Sequence, residues 1–178
     1  FGDTAETMMA FAATCEPDIP RIALVDFNND SVRDSLLVMH RMFERYRELI
    51  DSGNESEAKR YLLYAIRLDT SSSIRDVSVP PLGTPELDMG VNPRLVFIVR
   101  NAIDSAWCNW QLPKKWKDRA REWCESVKIV ASGGFSTSKI LRFEKLNVPV
   151  DIFAVGSSLF ANDGPRVTDF TSDITKVK

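Results

Sequence analysis

The chain has 178 residues, of which 44% are apolar and 27% are charged, and its net charge is −2. This balance excludes a disordered tail and gives no indication of a nucleic-acid-binding surface. The longest apolar runs, such as residues 62–66 and 95–99, are far shorter than the roughly 20 residues of a membrane span. The composition therefore predicts one soluble domain over residues 1–178, with no nucleic-acid or membrane partner.

Three scattered cysteines and a single histidine limit the chemistry that the chain can perform. Cys15, Cys108 and Cys124 show no CxxC spacing, which indicates a reducing, cytoplasmic setting and no zinc site. His40 alone supplies neither a metal cluster nor a Ser-His-Asp arrangement, so we expect no covalent catalysis with a histidine base. No metal site built from protein ligands is predicted.

Four short apolar runs predict β-strands, at residues 21–26, 62–69, 127–132 and 150–156. Their mostly continuous apolar character is typical of parallel strands that are buried on both faces. A weaker alternation at 167–177 is consistent with an edge strand.

Helical patterns lie between these strands. The clearest begins with Asp30 as N-cap and ends before Gly53, and its predicted apolar stripe is Val32, Leu36, Met39, Phe43, Tyr46 and Ile50. Further helices are expected at 93–107, from Pro113 onward and at 136–146, with an extended connection over 79–92. We expect Trp116 and Trp123 to pack in the core. Repeated β-α units predict an α/β fold with a parallel sheet, either open or closed as a barrel.

The carboxyl ends of parallel strands are where ligands bind in such folds. The last two predicted strands end in Ser132-Gly133-Gly134 and in Gly156-Ser157. Glycines let the backbone approach an anion, and successive N–H groups can then point at its oxygens. We therefore predict a phosphate-binding cup at these two turns, the alternative being that the glycines only form tight turns.

The first two strand ends carry charged residues. Arg67 and Asp69 are two residues apart on a strand and should share one face. Arginine suits a phosphate or carboxylate, and aspartate suits ribose hydroxyls or Mg²⁺; the alternative is a buried ion pair. Asp26 could likewise face a ligand, and we expect one of the aspartates that follow the first strand, such as Asp30, to cap the next helix, which does not exclude a ligand role for Asp26.

These strand ends resemble the second half of nicotinate phosphoribosyltransferases, which belong to the type II phosphoribosyltransferases. The motifs are IALVDFNND at 22–30, Arg-Leu-Asp at 67–69, KIVASGGFSTSKI at 128–140 and VDIFAVGSSLF at 150–160. The chain departs from the family where Thr70-Ser71-Ser72 replaces Ser-Gly-Asp. It also has Gly2-Asp-Thr-Ala-Glu6 where the family has Gly-Thr-x-x-His at the end of an earlier strand.

The resemblance implies that parallel βα units form the C-terminal part of an irregular (β/α) TIM-like barrel. It implies that nicotinate mononucleotide and pyrophosphate form from nicotinate and phosphoribosyl pyrophosphate, with Mg²⁺, ATP coupling and a homodimer or larger homo-oligomer. The implied catalytic residues are Arg67 and Asp69. The implied substrate and phosphate contacts are Asp26, Thr70, Ser132, Gly133, Gly134, Gly156 and Ser157.

Three other interpretations stay open. The chain could serve nicotinamide or quinolinate, or it could be a phosphosugar isomerase or lyase barrel with Asp26 and Asp69 as acid and base. It could also be a non-catalytic fragment. Because the chain starts at Phe1 without an initiator methionine, we expect it to come from a longer enzyme and to be inactive when isolated.

Overall fold

The computed structural model describes residues 2–156 and residue 158, and its centre is one parallel β-sheet. The strands β1 (Arg21–Leu24), β2 (Leu63–Leu68), β3 (Lys128–Ala131) and β4 (Ile152–Phe153) lie side by side in chain order. The helices are α1 (Thr4–Thr14), α2 (Ser31–Asp51), α3 (Glu55–Ala58), α4 (Pro85–Asp88), α5 (Pro93–Ser105), α6 (Lys114–Ser126) and α7 (Thr137–Lys145). Two 3₁₀ turns span Lys59–Tyr61 and Ala106–Asn109. The predicted α/β class and parallel pairing are confirmed.

The long helix α2 forms as its sequence predicts. Its N-cap Asp30 accepts a hydrogen bond from the backbone N–H of Arg33 at 3.1 Å, and Gly53 follows its end with φ +79°. Its buried apolar residues are Val38, Met39, Met42, Phe43, Tyr46 and Leu49. The predicted stripe was therefore partly wrong, because Val32, Leu36 and Ile50 are only partly buried. Val32 and Ile50 lie on the same side of the helix as the buried Met39 and Phe43, but in its first and last turns.

The two faces of the sheet differ. Ala23, Ile66, Leu68, Ile129 and Ala131 belong to the core that the strands share with the helices. The strand register pairs Leu24 with Arg67 and Arg67 with Val130, so these three residues lie together on the opposite face. On that face Val130 is buried, whereas Ile22 and Leu24 of β1 are 40% and 46% exposed. Burial of both faces was predicted, and at β1 this was wrong.

Helix α1 was not predicted. Asp3 caps it by accepting a hydrogen bond from the N–H of Glu6 at 2.7 Å, so residues 4–6 form the first turn of a helix. The helix buries Ala5, Met8 and Ala12, and its apolar residues are too evenly distributed to give a clear stripe.

Aromatic side chains of α2 and α6 meet in the core. Trp116 and Trp123 are buried in contact with Phe43, as predicted, and Cys124 is buried beside them, while Cys108 is exposed. No helix in the described part of the chain combines the length and apolar character of a membrane span. The predicted edge strand at 167–177 and Ser157 lie outside the described residues.

Candidate functional site

The carboxyl ends of the strands are held together by backbone hydrogen bonds that extend past the strands themselves. The N–H of Val25 donates to the carbonyl of Arg67 at 3.3 Å, and the N–H of Ser132 donates to that of Leu68 at 2.9 Å. The N–H of Ala154 donates to the carbonyl of Ala131, also at 2.9 Å. The residues that follow the four strands therefore lie at one edge of the sheet.

Arg67 is fixed at this edge by two side chains. Its Nη2 donates to Asp69 Oδ2 at 2.8 Å, and its Nε donates to Ser132 Oγ at 3.0 Å. The predicted shared face of Arg67 and Asp69 is thus observed. The side chains are 43% and 31% exposed, so the pair is open to solvent and does not plug the sheet. It is available to a ligand.

Ser132 links the Arg67 side chain to the backbone of β2. Its hydroxyl donates to the carbonyl of Leu68 at 2.9 Å while accepting from Arg67, and the residue is buried. With its donor and one acceptor position already engaged, this hydroxyl orients the guanidinium group. The predicted substrate contact at Ser132 is better described as a positioning role.

Asp26 faces the same group of charges. Burial raises the pKa of its carboxyl above the usual value, a backbone hydrogen bond opposes this, and the negative charge of Asp69 raises the pKa further. Arg67 lowers it and Asp76 raises it. Asp30, and not Asp26, caps α2, so the carboxyl of Asp26 is not engaged in helix capping.

The first glycine turn lies against Asp69. Gly133 and Gly134 have φ of +87° and +64°, which side chains rarely adopt. A Cβ on Gly133 would lie 3.3 Å from Asp69 Oδ1 and 3.4 Å from the carbonyl oxygen of Thr70, whereas one on Gly134 would meet nothing within 4 Å. The glycines therefore do form a tight turn, and the turn also brings backbone next to the Arg67–Asp69 pair. Gly156 is exposed at the end of β4.

Thr70 does not join Asp26, Arg67 and Asp69. It is buried, its Oγ1 has no hydrogen-bond partner among the described residues, and it lines a cavity on the side of α7. The structure therefore places Thr70 at that cavity and not beside the Arg67–Asp69 pair.

Two supporting residues were missed from the sequence. Asp76 is fully buried and accepts hydrogen bonds from the N–H of Ser31 at 3.0 Å, the Ser31 hydroxyl at 2.6 Å and the N–H of Ser78 at 2.8 Å. It ties the loop after β2 to the start of α2. Lys139 in the first turns of α7 donates to the carbonyl of Gly133 at 3.0 Å. Asp76 lies between predicted elements and Lys139 lies inside the helix predicted at 136–146, so no local pattern singled out either residue.

The site suits Mg²⁺ only together with a substrate. The described residues contain no group of three or more His, Cys, Asp or Glu side chains placed to hold a metal ion. Mg²⁺ often binds through one or two carboxylates and completes its shell with water and substrate phosphates. Asp26 and Asp69 are the carboxylates that fit this mode.

A scan against protein-family models found no match, and searches of curated proteins and of solved structures found none either.

Proposed function

We propose that the protein is a nicotinate phosphoribosyltransferase, in which this edge of the sheet binds phosphoribosyl pyrophosphate. The observation that supports the proposal most strongly is the open Arg67–Asp69 pair beside the Gly133–Gly134 turn. An arginine, two carboxylates and exposed backbone at one place match the pyrophosphate, the ribose hydroxyls and the 5′-phosphate of this substrate.

The reaction transfers a ribosyl group. The ring nitrogen of nicotinate forms a bond to the anomeric carbon while the bond from that carbon to pyrophosphate breaks, and the electron pair leaves with pyrophosphate. The transition state resembles an oxocarbenium ion, so placed charge matters more than a general base. Arg67 would neutralise pyrophosphate or the nicotinate carboxylate, and Asp69 and Asp26 would hold ribose hydroxyls or Mg²⁺. Gly133, Gly134 and Gly156 would hold the 5′-phosphate, and the resemblance adds Ser157.

We further propose that the sheet is part of a (β/α) barrel wall. In such a wall the helices cover the outer face and the inner face carries the ligand at the carboxyl ends of the strands. Two observations support this: the core lies between strands and helices, and Arg67 belongs to the other face. ATP coupling and a homo-oligomer stay predictions from the resemblance, since no residue described above is assigned to them.

The experiment is a binding measurement, which does not depend on turnover. Isothermal titration of the chain with phosphoribosyl pyrophosphate and Mg²⁺, with and without nicotinate, should show saturable binding. Arg67→Ala should weaken it by about tenfold or more, because a charge-assisted contact worth about 1.4 kcal/mol is lost. The matched control is Arg121→Ala, whose side chain on α6 is 53% exposed and pairs with Glu125.

Two outcomes count against the proposal. Wild-type chain that binds no phosphoribosyl pyrophosphate removes the proposed function. Binding that Arg67→Ala leaves unchanged removes Arg67 from the mechanism.

A second candidate is supported by one observation. Asp26 and Asp69 are two carboxylates at neighbouring strand ends, and burial raises the pKa of Asp26, so this carboxyl could act as the acid or base that an isomerase of phosphosugars requires. Titration with ribulose 5-phosphate separates the candidates: this interpretation predicts tighter binding than for phosphoribosyl pyrophosphate, and the transferase proposal predicts the reverse.

A further inference from the structure

The cavity that Thr70 lines lies next to the Gly133 turn and has polar walls. It has a volume of about 130 Å³ and opens between the loop that follows β2 and helix α7. At about 30 Å³ per water molecule, this is room for about four waters or for one small tetrahedral anion. Its polar walls include Thr70, Gly133, Lys139 and Arg142, and Glu86 of α4 also lines it.

Two cations line this cavity, and neither has a counterion among the described residues. Lys139 is half-buried and lies 4.2 Å from the centroid of the Phe135 ring, and Arg142 is exposed one turn further along α7. No carboxylate in the described part of the chain is within 4.0 Å of either. Lys139 gives one of its three N–H bonds to the Gly133 carbonyl, so two remain. Burial lowers the pKa of its amine, as expected for a charge that lacks a partner.

The third observation is the Thr70 hydroxyl. Thr70 is 3% exposed and its Oγ1 has no hydrogen-bond partner among the described residues. Leaving a buried hydroxyl unpaired is unfavourable, and native proteins pair most of them. Asn92, also on the wall, is by contrast fully used: it donates to the carbonyls of Met89 and Gly90 and accepts from the N–H of Leu95.

We propose that this cavity binds a phosphate-class anion through Lys139, Arg142 and the Thr70 hydroxyl. The hydroxyl donates to one anion oxygen, and the two cations neutralise the charge. Glu86 lies on the exposed rim and disfavours the anion, so it limits the affinity. The site does not rest on the proposed transferase function, and its residues are different from Asp26, Arg67 and Asp69.

The probe is inorganic phosphate, titrated into the chain and followed by ³¹P NMR and calorimetry at constant ionic strength. Lys139→Gln should weaken binding about tenfold or more, and Thr70→Val, which keeps the shape and removes the hydroxyl, about threefold to tenfold. The matched control Lys145→Gln, on the exposed end of α7, should stay within about twofold. Circular dichroism and thermal unfolding of each variant establish that it is folded.

Glu86→Gln tests the sign of the ligand charge. Tighter phosphate binding by this variant supports the site, whereas weaker binding overturns it. Saturable binding that is unchanged in both Lys139→Gln and Thr70→Val also overturns it, as does absence of binding up to about 10 mM phosphate.

The same variants show whether the anion is free phosphate or a phosphate group of phosphoribosyl pyrophosphate. They also test the anion site separately from the proposed transferase function. If Lys139→Gln weakens phosphoribosyl pyrophosphate and free phosphate in parallel, the cavity takes a phosphate group of that substrate. If it weakens free phosphate alone, the cavity is a separate anion site. If the wild-type chain binds free phosphate but no phosphoribosyl pyrophosphate, the anion site is kept and the transferase function is removed.

Discussion

Asp26 carries a negative charge that the folded chain disfavours. Burial raises the pKa of its carboxyl, and Asp69 and Asp76 add to the effect, while a backbone hydrogen bond and Arg67 only oppose it in part. A carboxyl whose pKa is higher in the folded state stabilises the fold below its unfolded pKa. That stabilisation is lost as the pH rises through the folded value.

Asp26→Asn should therefore stabilise the chain at neutral pH while impairing its proposed ligand binding. We expect the Tm at pH 7 to rise by about 1–2 °C, since the removed charge is partly solvated and its cost is reduced by screening. Below about pH 4 the advantage should vanish, because Asp26 is then protonated in the wild type too. Calorimetric unfolding of both proteins at about five pH values between about pH 3 and pH 8 measures the difference in Tm.

The control is Asp118→Asn on the exposed surface of α6, for which no such pH-dependent gain is expected. A lower Tm for Asp26→Asn at pH 7 would mean that the carboxylate is stabilised in the fold, contrary to its surroundings. Such a gain in stability at the expense of binding is common where a site stores unfavourable charge.

Sequence reasoning reached part of this residue-scale picture. The two-residue spacing of Arg67 and Asp69 was enough to predict that they share a face, since strand geometry alone decides it. The engagement of Ser132 with Arg67 was not predictable, because the two residues are 65 positions apart and meet only through the β2–β3 register. The same holds for Asp76, which meets Ser31 across 45 positions.

At the scale of elements, the turn between β3 and α7 offers a matched pair of glycines. Both have positive φ, so alanine at either position carries a strain of about 1 kcal/mol. At Gly133 the new methyl group would also lie in tight contact with Asp69 Oδ1, at 3.3 Å, whereas at Gly134 it would meet nothing within 4 Å. Gly133→Ala should therefore lower the free energy of unfolding by about 1–2 kcal/mol more than Gly134→Ala.

Urea unfolding of the two variants measures this difference, and ligand titration adds a second readout. Because the contact at Gly133 displaces Asp69, its variant should also lose binding of phosphoribosyl pyrophosphate. Equal stability of the two alanine variants would contradict the close approach of the turn to Asp69.

The elements themselves were largely predictable. The observed strands lie inside the four predicted runs, and α2 begins at the expected cap, because continuous apolar runs and capping residues are local signals. Helix α1 escaped prediction since its apolar residues form no distinct stripe, and α4 escaped within a proline-rich connection since it has only four residues. The predicted stripe of α2 contains its buried Met39, Phe43 and Tyr46, whereas Val32 and Ile50, in the end turns, are only partly buried.

At the scale of the whole molecule, the difference in solvent exposure between the two faces of the sheet could not be predicted from the sequence. A run of apolar residues looks the same whether one or both faces are covered, and burial on both faces was the natural inference. In the structure the core joins the strands to the helices, and the residues of β1 that point the other way are exposed. That second face leads directly to Arg67 and Asp69, so its coverage bears on whether the site is accessible.

Identical truncations on the two faces should therefore have unequal effects. Leu68→Ala removes a fully buried side chain of the core and should cost about 2–5 kcal/mol of unfolding free energy. Leu24→Ala removes one that is 46% exposed and should cost less than about 1 kcal/mol. Should Leu68→Ala fail to fold, the milder pair Ile66→Val and Ile22→Val, 0% and 40% exposed, gives the same contrast. Urea unfolding at several protein concentrations is the measurement. Similar costs on both faces would mean that β1 is covered in solution, and a cost at Leu24 that grows with protein concentration would identify another copy of the chain as the cover.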